Sequence, residues 1–153
     1  KQIIEIWIKK INKLQPDAEL HIFTTSKLDV DNLKKFNVYF HGKISRKRLL
    51  NFYKQSFGMI CLGYDETFCL NAIEAMKMQL PVISLGETAL NELIVNNKNG
   101  LKVNNLMNID RSILKLLSLN RVERSKIGQT ASSFTKKFDS RNIFKKWTKL
   151  ISN

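Results

Sequence analysis

Several residue types are scarce in this 153-residue sequence, and each scarcity excludes a class of protein. No uninterrupted apolar run approaches the roughly 20 residues that a transmembrane helix needs. The two prolines and six glycines form no low-complexity tract, and the sequence contains no internal repeat. The two cysteines fall in different predicted settings, Cys61 in a strand and Cys69 at a helix start. We therefore expect no disulfide, and a reducing cytoplasm fits.

Acidic residues are also scarce, since 13 Asp and Glu stand against 26 Lys and Arg, for a net charge of +13. Such a charge attracts polyanions, either nucleic acid or an anionic membrane, although a merely solvated basic surface is the alternative. With 43% hydrophobic residues, the sequence predicts one domain, residues 1–153, with a proper core. It begins inside a helical pattern that carries a charge, so we expect a piece of a longer protein without a signal peptide.

The chain is organised around one strand–loop–helix–strand unit. The apolar run at 59–62 predicts a fully buried strand of a parallel sheet, and a second such strand is predicted at 81–85. Between them lie a polar loop with Asp65 and Glu66 and an amphipathic helix that starts near Leu70. Ligands of doubly wound sheets bind outside the carboxyl ends of the strands, so this loop is the predicted binding region.

Periodicity and boundary residues predict the remaining elements. Ser45 is a credible N-cap for a helix that runs to about Ser56, although Arg46, Lys47 and Arg48 put the wrong charge at its start. Either an anionic ligand or a tolerated exposed cluster would account for those charges. Further helices are predicted at 2–14, 88–96, 109–117, 122–138 and 143–151, and strands at 20–24, 38–41 and 101–103. The apolar stripe of the last helix is interpreted as core or domain packing.

Two glutamates eight positions apart, Glu66 and Glu74, carry the chemistry of the central unit. The first backbone N–H groups of the helix, near Cys69 and Leu70, lack intrahelical acceptors and form a ready site for a phosphate. Glu74 lies on a core-facing helix, where a carboxylate needs a hydroxyl-rich ligand or a cationic partner. An anion site flanked by two carboxylates suits a nucleotide sugar.

These residues resemble the Glu-x7-Glu signature of the group 1 (family 4) retaining glycosyltransferases with the GT-B fold. The family's usual pattern is E-G-F-G-L-x3-E-A-M-A-x-G-x-P-V-I. The matching residues here are Glu66-Thr67-Phe68-Cys69-Leu70, Glu74-Ala75-Met76 and Pro81-Val82-Ile83. Residues 16–23 and 38–44 are similar to the family's second and third strands, and residues 91–103 to its E-I-V-x3-x-N-G-x-L-V element. Five elements in order cover nearly the whole chain.

The resemblance implies a fold and a domain boundary. It predicts a Rossmann-like, doubly wound parallel α/β sheet, the C-terminal donor-binding half of a GT-B fold. The first strand of the sheet and an N-terminal acceptor-binding domain of the same protein would lie upstream of this chain.

The resemblance also assigns roles to residues of the predicted site. Glu74 would hold the ribose hydroxyls of the donor nucleotide, and Glu66 would be the catalytic residue that contacts the donor sugar. Lys1 would bind the diphosphate, and Ile44 would line the nucleobase. The donor-binding set is completed by Thr67, Phe68, Cys69 and Leu70. The family needs no metal and no cofactor besides its nucleoside-diphosphate sugar substrate.

Three residues depart from the family pattern. Thr67 and Cys69 replace both glycines of E-G-F-G, and Gln79 replaces the glycine before the Pro-Val element. Glycine at such positions permits close backbone approach or a left-handed helix end. The departures predict an altered donor fit, with reduced activity as the alternative.

Together these features predict a retaining glycosyltransferase of the hexosyltransferase type. It would transfer a sugar to an acceptor hydroxyl in cell-surface polysaccharide or glycolipid synthesis, such as lipopolysaccharide or capsule. We expect a cytoplasmic protein, peripheral at the inner face of an anionic membrane, that binds no nucleic acid. The alternatives are a catalytically degenerate GT-B scaffold subunit, a nucleotide-sugar epimerase of the same fold and a basic nucleic-acid-binding domain.

Overall fold

The computed structural model describes residues 2–24, 33–62, 69–85 and 90–151. The strands are β1 (Leu20–Ile22), β2 (Val38–Phe40), β3 (Met59–Cys61), β4 (Val82–Leu85) and β5 (Gly100–Val103). The α-helices are α1 (Gln2–Ile6), α2 (Asn12–Leu14), α3 (Arg46–Gln55), α4 (Leu70–Lys77), α5 (Leu90–Leu93), α6 (Ile109–Ser118), α7 (Arg121–Thr135) and α8 (Ser140–Ile151). A π-helical turn, Trp7–Ile11, joins α1 to α2, and 3₁₀ turns lie at Lys34–Phe36, Leu106–Asn108 and Lys136–Phe138.

The described strands form two parallel sheets. One contains β1 and β2, and the other contains β3, β4 and β5 in that order. A doubly wound sheet of order 3-2-1-4-5-6 contains the same two groups, 3-2 and 4-5-6, on either side of its first strand. The topology confirms the predicted Rossmann-like class. The predicted upstream strand would lie between β1 and β3 and stays a prediction.

Strand β4 is buried on both faces, and this is why its sequence is apolar without alternation. Strand β3 was also predicted to be fully buried, but only Cys61 is, and Met59 and Ile60 are half-buried because β3 is at the edge of the described three-stranded sheet. Its successive residues Val82 and Ile83 belong to different hydrophobic clusters, because neighbouring side chains of a strand point to opposite faces. The cluster with Val82 contains residues of α4 and α7, and the cluster with Ile83 contains residues of the π turn and α6. Helices therefore cover both faces of the β3–β5 sheet.

The second cluster also joins the two sheets. It holds Leu20 of β1 and Val38 of β2 together with Ile83 of β4 and Leu101 of β5. Trp7 of the π turn belongs to the same cluster, and its indole N–H donates to the carbonyl of residue 36 at 3.2 Å. One layer of helices thus packs against both groups of strands.

The predicted helix at 88–96 is shorter in the structure, where its described part is α5. The cause is Asn99, which is almost fully buried. Its side-chain oxygen accepts from the backbone N–H of Val95 at 2.6 Å, and its side-chain nitrogen donates to the carbonyl of Leu93 at 2.9 Å. These bonds satisfy the last turn of the helix and end it. The helix predicted at 122–138 likewise becomes α7 followed by the 3₁₀ turn at Lys136–Phe138.

The apolar stripe of α8 was expected to pack, and within the described chain it does not join the core. Phe144, Trp147, Leu150 and Ile151 expose 69%, 61%, 73% and 79% of their surfaces. An amphipathic pattern predicts that a face will be covered but does not identify what covers it. The interpretation as core is therefore wrong, and packing against another domain stays a prediction.

Two of the three positions that lack the family's glycine have left-handed backbone conformations. Cys69 has φ 42° and Gln79 has φ 61°. These residues flank α4, Cys69 as its N-cap and Gln79 just beyond its last turn. The carbonyl of Gln79 packs against α7, where a Cβ built on Gly128 would lie 2.1 Å from the Gln79 oxygen. The backbone has kept the conformation that glycine favours, although the glycines are gone.

We predict that Gln79→Gly raises the free energy of unfolding by about 0.5–1 kcal/mol. A left-handed conformation costs a non-glycine residue roughly 1–2 kcal/mol, and the greater freedom of glycine in the unfolded chain offsets part of the gain. Urea denaturation measures the change. Lys126→Gly, at an exposed position inside α7, is the matched control and should lose about 0.5–1 kcal/mol. A Gln79→Gly variant less stable than the wild type would contradict the strained backbone.

Candidate functional site

The structure describes half of the predicted site residues. Those outside the described residues are Lys1, Glu66, Thr67 and Phe68, and those within them are Ile44, Cys69, Leu70 and Glu74. The described set places the site at the N-terminal end of α4, against the end of β3. The sulfur atoms of Cys61, the last residue of β3, and Cys69 lie 2.8 Å apart.

The N-terminus of α4 has no side-chain cap. Cys69 is the N-cap residue, and its carbonyl accepts from the N–H groups of Ala72 at 3.0 Å and Ile73 at 3.4 Å. Its own side chain is buried and makes no capping bond. Leu70, in the first turn, is 65% exposed. Anion binding at this helix end stays a prediction, and among the described residues the apolar Leu70 side chain lies at its edge.

Glu74 lies in the second turn of α4 and has the cationic partner that its position was predicted to require. The guanidinium Nη2 of Arg46 lies 2.6 Å from Glu74 Oε1, across 28 residues of sequence. The Glu74 side chain is 28% exposed and that of Arg46 is 75% exposed. Water screens so open a pair, so its contribution to stability is at most about 1 kcal/mol. Its main effect is to orient the Glu74 carboxylate.

Arg46 is the site residue that sequence reasoning did not identify as such. It is the first residue of α3, which Ser45 caps as predicted by accepting the Arg48 N–H at 3.4 Å. A positive charge is unfavourable at a helix N-terminus. The ion pair with Glu74 explains why one of the three basic residues, Arg46, stands there. The basic cluster was the sequence feature from which this contact could have been suspected.

The same ion pair brings Ile44 to the site. Ile44 is half-buried and lies two residues before Arg46, in the segment that follows Gly42. Gly42 has φ 58°, a left-handed turn that directs the chain from β2 into α3. Ile44, predicted to line the nucleobase, thus lies two residues from the partner of Glu74, which is predicted to hold the ribose.

Tyr53 of α3 is buried and reaches the first turn of α4. Its hydroxyl donates to the carbonyl of Asn71 at 3.5 Å, in the first turn of α4. Burial raises the pKa of Tyr53 to about 12, and the nearby charges of Glu74, Cys61 and Cys69 act in the same direction. The phenol is therefore held neutral and ties α3 to the N-terminal end of α4.

The sequence has only two histidines, and the structure brings them together: His21 is the middle residue of β1, and His41 follows the last residue of β2. His21 Nδ1 lies 2.8 Å from His41 Nε2, and His21 Nε2 lies 3.0 Å from a carboxylate oxygen of Glu19. Burial lowers the pKa of His41, and the charges of His21 and Arg48 lower it further. The described residues hold no group of three or more His, Cys, Asp or Glu side chains arranged for a metal ion.

A cavity of about 310 Å³ lies at the opposite end of the sheet. Its lining includes Ser56 and Phe57, which precede β3, and Leu80 and Pro81, which precede β4. It is therefore at the amino ends of these strands. Ligands of doubly wound sheets bind at the carboxyl ends, so this cavity is not the candidate donor site.

A parallel α/β sheet with a helix that begins at the carboxyl end of a strand defines a Rossmann-like architecture. The sequence model of the family described as glycosyl transferases group 1 matches residues 6–134. The chain belongs to the group 1 glycosyltransferases. No match was found among curated protein sequences.

Solved structures of glycosyltransferases share the fold. TarM of S. aureus is 22% identical with a TM-score of 0.80, over 99% of this chain and 32% of its own. The C-terminal domain of LpcC from Francisella tularensis is 25% identical with a TM-score of 0.71, over 91% and 78%. The pneumococcal O-GlcNAc transferase GtfA, solved with UDP and GlcNAc, is 18% identical with a TM-score of 0.80, over 99% and 32%. The chain thus spans about a third of the length of TarM and GtfA.

The raised pKa of Tyr53 predicts a loss of stability in alkali. The folded chain holds this proton up to about pH 12, whereas the unfolded chain releases it near the ordinary value of 10.0. The unfolded state therefore binds fewer protons between these values, and the contribution of Tyr53 falls as the pH rises through this window. Urea denaturation at several pH values should show a steeper alkaline loss for the wild type than for Tyr53→Phe. Lysine titration affects the wild type and Tyr53→Phe equally. If the stability of the two proteins falls in parallel as the pH rises, the raised pKa of Tyr53 is contradicted.

Proposed function

We propose that this chain is the donor-binding half of a retaining, metal-independent glycosyltransferase. The reaction is transfer of a hexose from a nucleoside-diphosphate sugar to an acceptor hydroxyl, with net retention at the anomeric carbon. The acceptor would bind to a further domain of the same protein, and the active site would be the cleft between the two. We expect the 153-residue chain alone to bind nucleotide weakly and to catalyse nothing.

The observation that carries the proposal is the oriented carboxylate of Glu74 beside the open N-terminus of α4. A carboxylate has about four acceptor sites, so an ion pair with one Arg46 nitrogen leaves acceptors for vicinal hydroxyl groups. The helix end supplies N–H groups to a phosphate in the neighbouring position. A nucleoside diphosphate carries ribose hydroxyls and a phosphate next to each other, so it could occupy both positions at once.

Catalysis in this proposal comes from position and charge. Lys1 and the N-terminus of α4 would stabilise the negative charge that develops on the diphosphate leaving group. Glu66 would contact the donor sugar and hold its reacting carbon toward the acceptor. These roles of Lys1 and Glu66 rest on the family resemblance.

The left-handed conformations of Cys69 and Gln79 favour an active donor site over a degenerate scaffold. Both ends of α4 have the left-handed backbone that glycine favours, although neither residue is glycine. The difference from the family is then confined to the side chains. Thr67 would narrow the sugar pocket and alter which donor is preferred.

The choice of nucleotide can be narrowed by neighbours of the same fold. GtfA was solved with UDP and GlcNAc, and HepE of Anabaena with UDP and glucose. We propose UDP-hexoses as the first donors to test, with GDP and ADP as comparisons.

Calorimetric titration with UDP, GDP and ADP tests the donor site. We expect saturable binding of one nucleotide, weakened at least about tenfold in Glu74→Ala, because a hydrogen bond to a charged group contributes about 1.5–3 kcal/mol. Arg46→Ala should weaken binding about two- to fivefold, since it removes only the orienting ion pair. Asp17→Ala, an exposed carboxylate in the turn after α2, is the matched control and should not change the affinity.

Unchanged affinity in Glu74→Ala would remove this residue from the donor site. If the wild-type chain binds nothing, the same titration is made on the longer protein that includes the upstream strand. A longer protein that also binds no nucleotide would overturn the proposed function.

We also propose that the protein works at an anionic membrane, on a lipid-linked or surface-polysaccharide acceptor. The support is α8, whose exposed apolar residues are accompanied by Arg141, Lys145 and Lys149, in a chain of net charge +13. A basic amphipathic helix lies in the membrane interface with its apolar face inward. Among the described helices, none combines the length and the apolar character that crossing a membrane requires.

Vesicle sedimentation tests the membrane proposal. We expect binding to vesicles rich in phosphatidylglycerol that weakens with salt, and little binding to phosphatidylcholine alone. The double variant Phe144→Ser, Trp147→Ser should lose most of it, whereas Met107→Ser, which removes an apolar side chain that is 72% exposed elsewhere, should not. Equal binding to neutral and anionic vesicles, or no binding to either, would contradict the proposal that α8 binds an anionic membrane. It would favour the alternative that another domain packs against α8.

A further inference from the structure

The only two cysteines of the chain meet side by side in the structure. Their sulfur atoms lie 2.8 Å apart, and one thiol donates a hydrogen bond to the other. A disulfide bond has a sulfur–sulfur length of about 2.0 Å, so the two sulfurs are less than an ångström from bonding distance. Their predicted settings, a strand and a helix start, were correct, and no disulfide joins the two sulfurs in the structure. That these two settings lie side by side was not predicted.

Two constraints hold the sulfurs in this position. Cys61 is the last residue of β3, whose register against β4 pairs it with Ser84. Cys69 is the N-cap of α4 and has φ 42°, a conformation that directs the buried side chain back toward β3. Both side chains belong to the hydrophobic cluster that also contains Tyr53. The pair is therefore fixed by the strand, the helix and the core together.

We propose that Cys61 and Cys69 are an oxidation site at which a hydroperoxide forms a reversible intramolecular disulfide. One cysteine sulfur, as thiolate, attacks a peroxide oxygen; the S–O bond forms, the O–O bond breaks, and hydroxide leaves. The second sulfur then attacks this sulfenic acid; the S–S bond forms, the S–O bond breaks, and the departing hydroxide takes the remaining proton as water. Two thiols lose two electrons, and hydrogen peroxide is reduced to two molecules of water.

Burial selects the oxidant. Cys61 is 7% exposed and Cys69 is 4% exposed, so a bulky disulfide reagent has little access to either sulfur. Hydrogen peroxide is close to water in size, so burial hinders it less. The site should therefore respond to peroxide faster than to oxidised glutathione.

The disulfide would close a ring of residues 61–69 across the predicted donor loop. That ring contains Glu66, Thr67 and Phe68, and it ends at the helix terminus predicted to bind phosphate. Formation of the bond rests on the sulfur geometry alone and does not depend on the proposed function. If the proposed function holds, the bond restrains the loop that contacts the donor sugar, which makes the site redox-sensitive.

The experiment is intact-mass spectrometry of the folded chain after hydrogen peroxide, with alkylation of remaining thiols and peptide mapping. We expect a loss of about 2 Da, no alkylation of either cysteine and a linked peptide pair, all reversed by dithiothreitol. The melting temperature of the oxidised chain should rise, because the ring restricts the unfolded state. Oxidised glutathione at the same concentration should give at least about tenfold slower conversion.

Single variants provide the controls. Cys61→Ser and Cys69→Ser should show no 2 Da loss, and circular dichroism checks that each is folded. The wild-type readouts decide the proposal even if a variant does not fold. Sulfinic or sulfonic acid on separate cysteines, a disulfide between two chains, alkylation of both cysteines after peroxide treatment, or a lower melting temperature of the oxidised chain would overturn it.

Discussion

Coverage of the β3–β5 sheet by helices on both faces is the constraint on which the candidate site depends. A parallel strand covered on both sides needs a helix to return the chain to its starting edge, and α4 is that helix. Its N-terminus must then lie at the carboxyl end of β3, and contact between Cys61 and Cys69 shows that it does. The position of Glu74, one turn further along, follows from the same geometry. The core thus sets the location of the polar site.

The two ends of α4 show how the backbone can be preserved while its sequence changes. Cys69 and Gln79 occupy left-handed conformations at positions where the family pattern has glycine. At the second end, the Gln79 carbonyl approaches α7 so closely that a Cβ at position 128 would lie 2.1 Å from its oxygen. Tertiary packing therefore overrides the local preference, and the strain is carried at positions next to the site. Substitution there alters side chains near the ligand and leaves the path of the chain intact.

Local signals in the sequence were sufficient for the central unit. The unbroken apolar runs predicted β3 and β4, and Ser45 predicted the start of α3. Contacts across long separations could not be predicted in the same way. The pairing of Arg46 with Glu74 and of His21 with His41 depends on how helices and strands pack, which no local period encodes.

The contact between the two cysteines and the exposure of the α8 stripe were not predicted, and both for the same physical reason. A cysteine in a strand and another at a helix start look unrelated in sequence, yet a short crossover connection places the end of that strand against the start of that helix. The stripe of α8 has helical periodicity, but periodicity specifies only which side chains share a face. What covers that face is decided by surfaces outside the helix. Sequence patterns thus predicted the helices and strands, whereas tertiary packing determines which of their side chains are in contact.

Two features of the described chain, the sheet edges at β1 and β3 and the apolar face of α8, differ in how strictly they specify a partner. In the 3-2-1-4-5-6 order one strand lies between β1 and β3. Such a strand must match the hydrogen-bond register of both neighbours and pack between two helix layers, so only a segment of the same fold can fill the position. The face of α8 requires only apolar contact and tolerance of positive charge. The sheet edge therefore specifies one segment by geometry, whereas α8 specifies a class of surface by its chemistry.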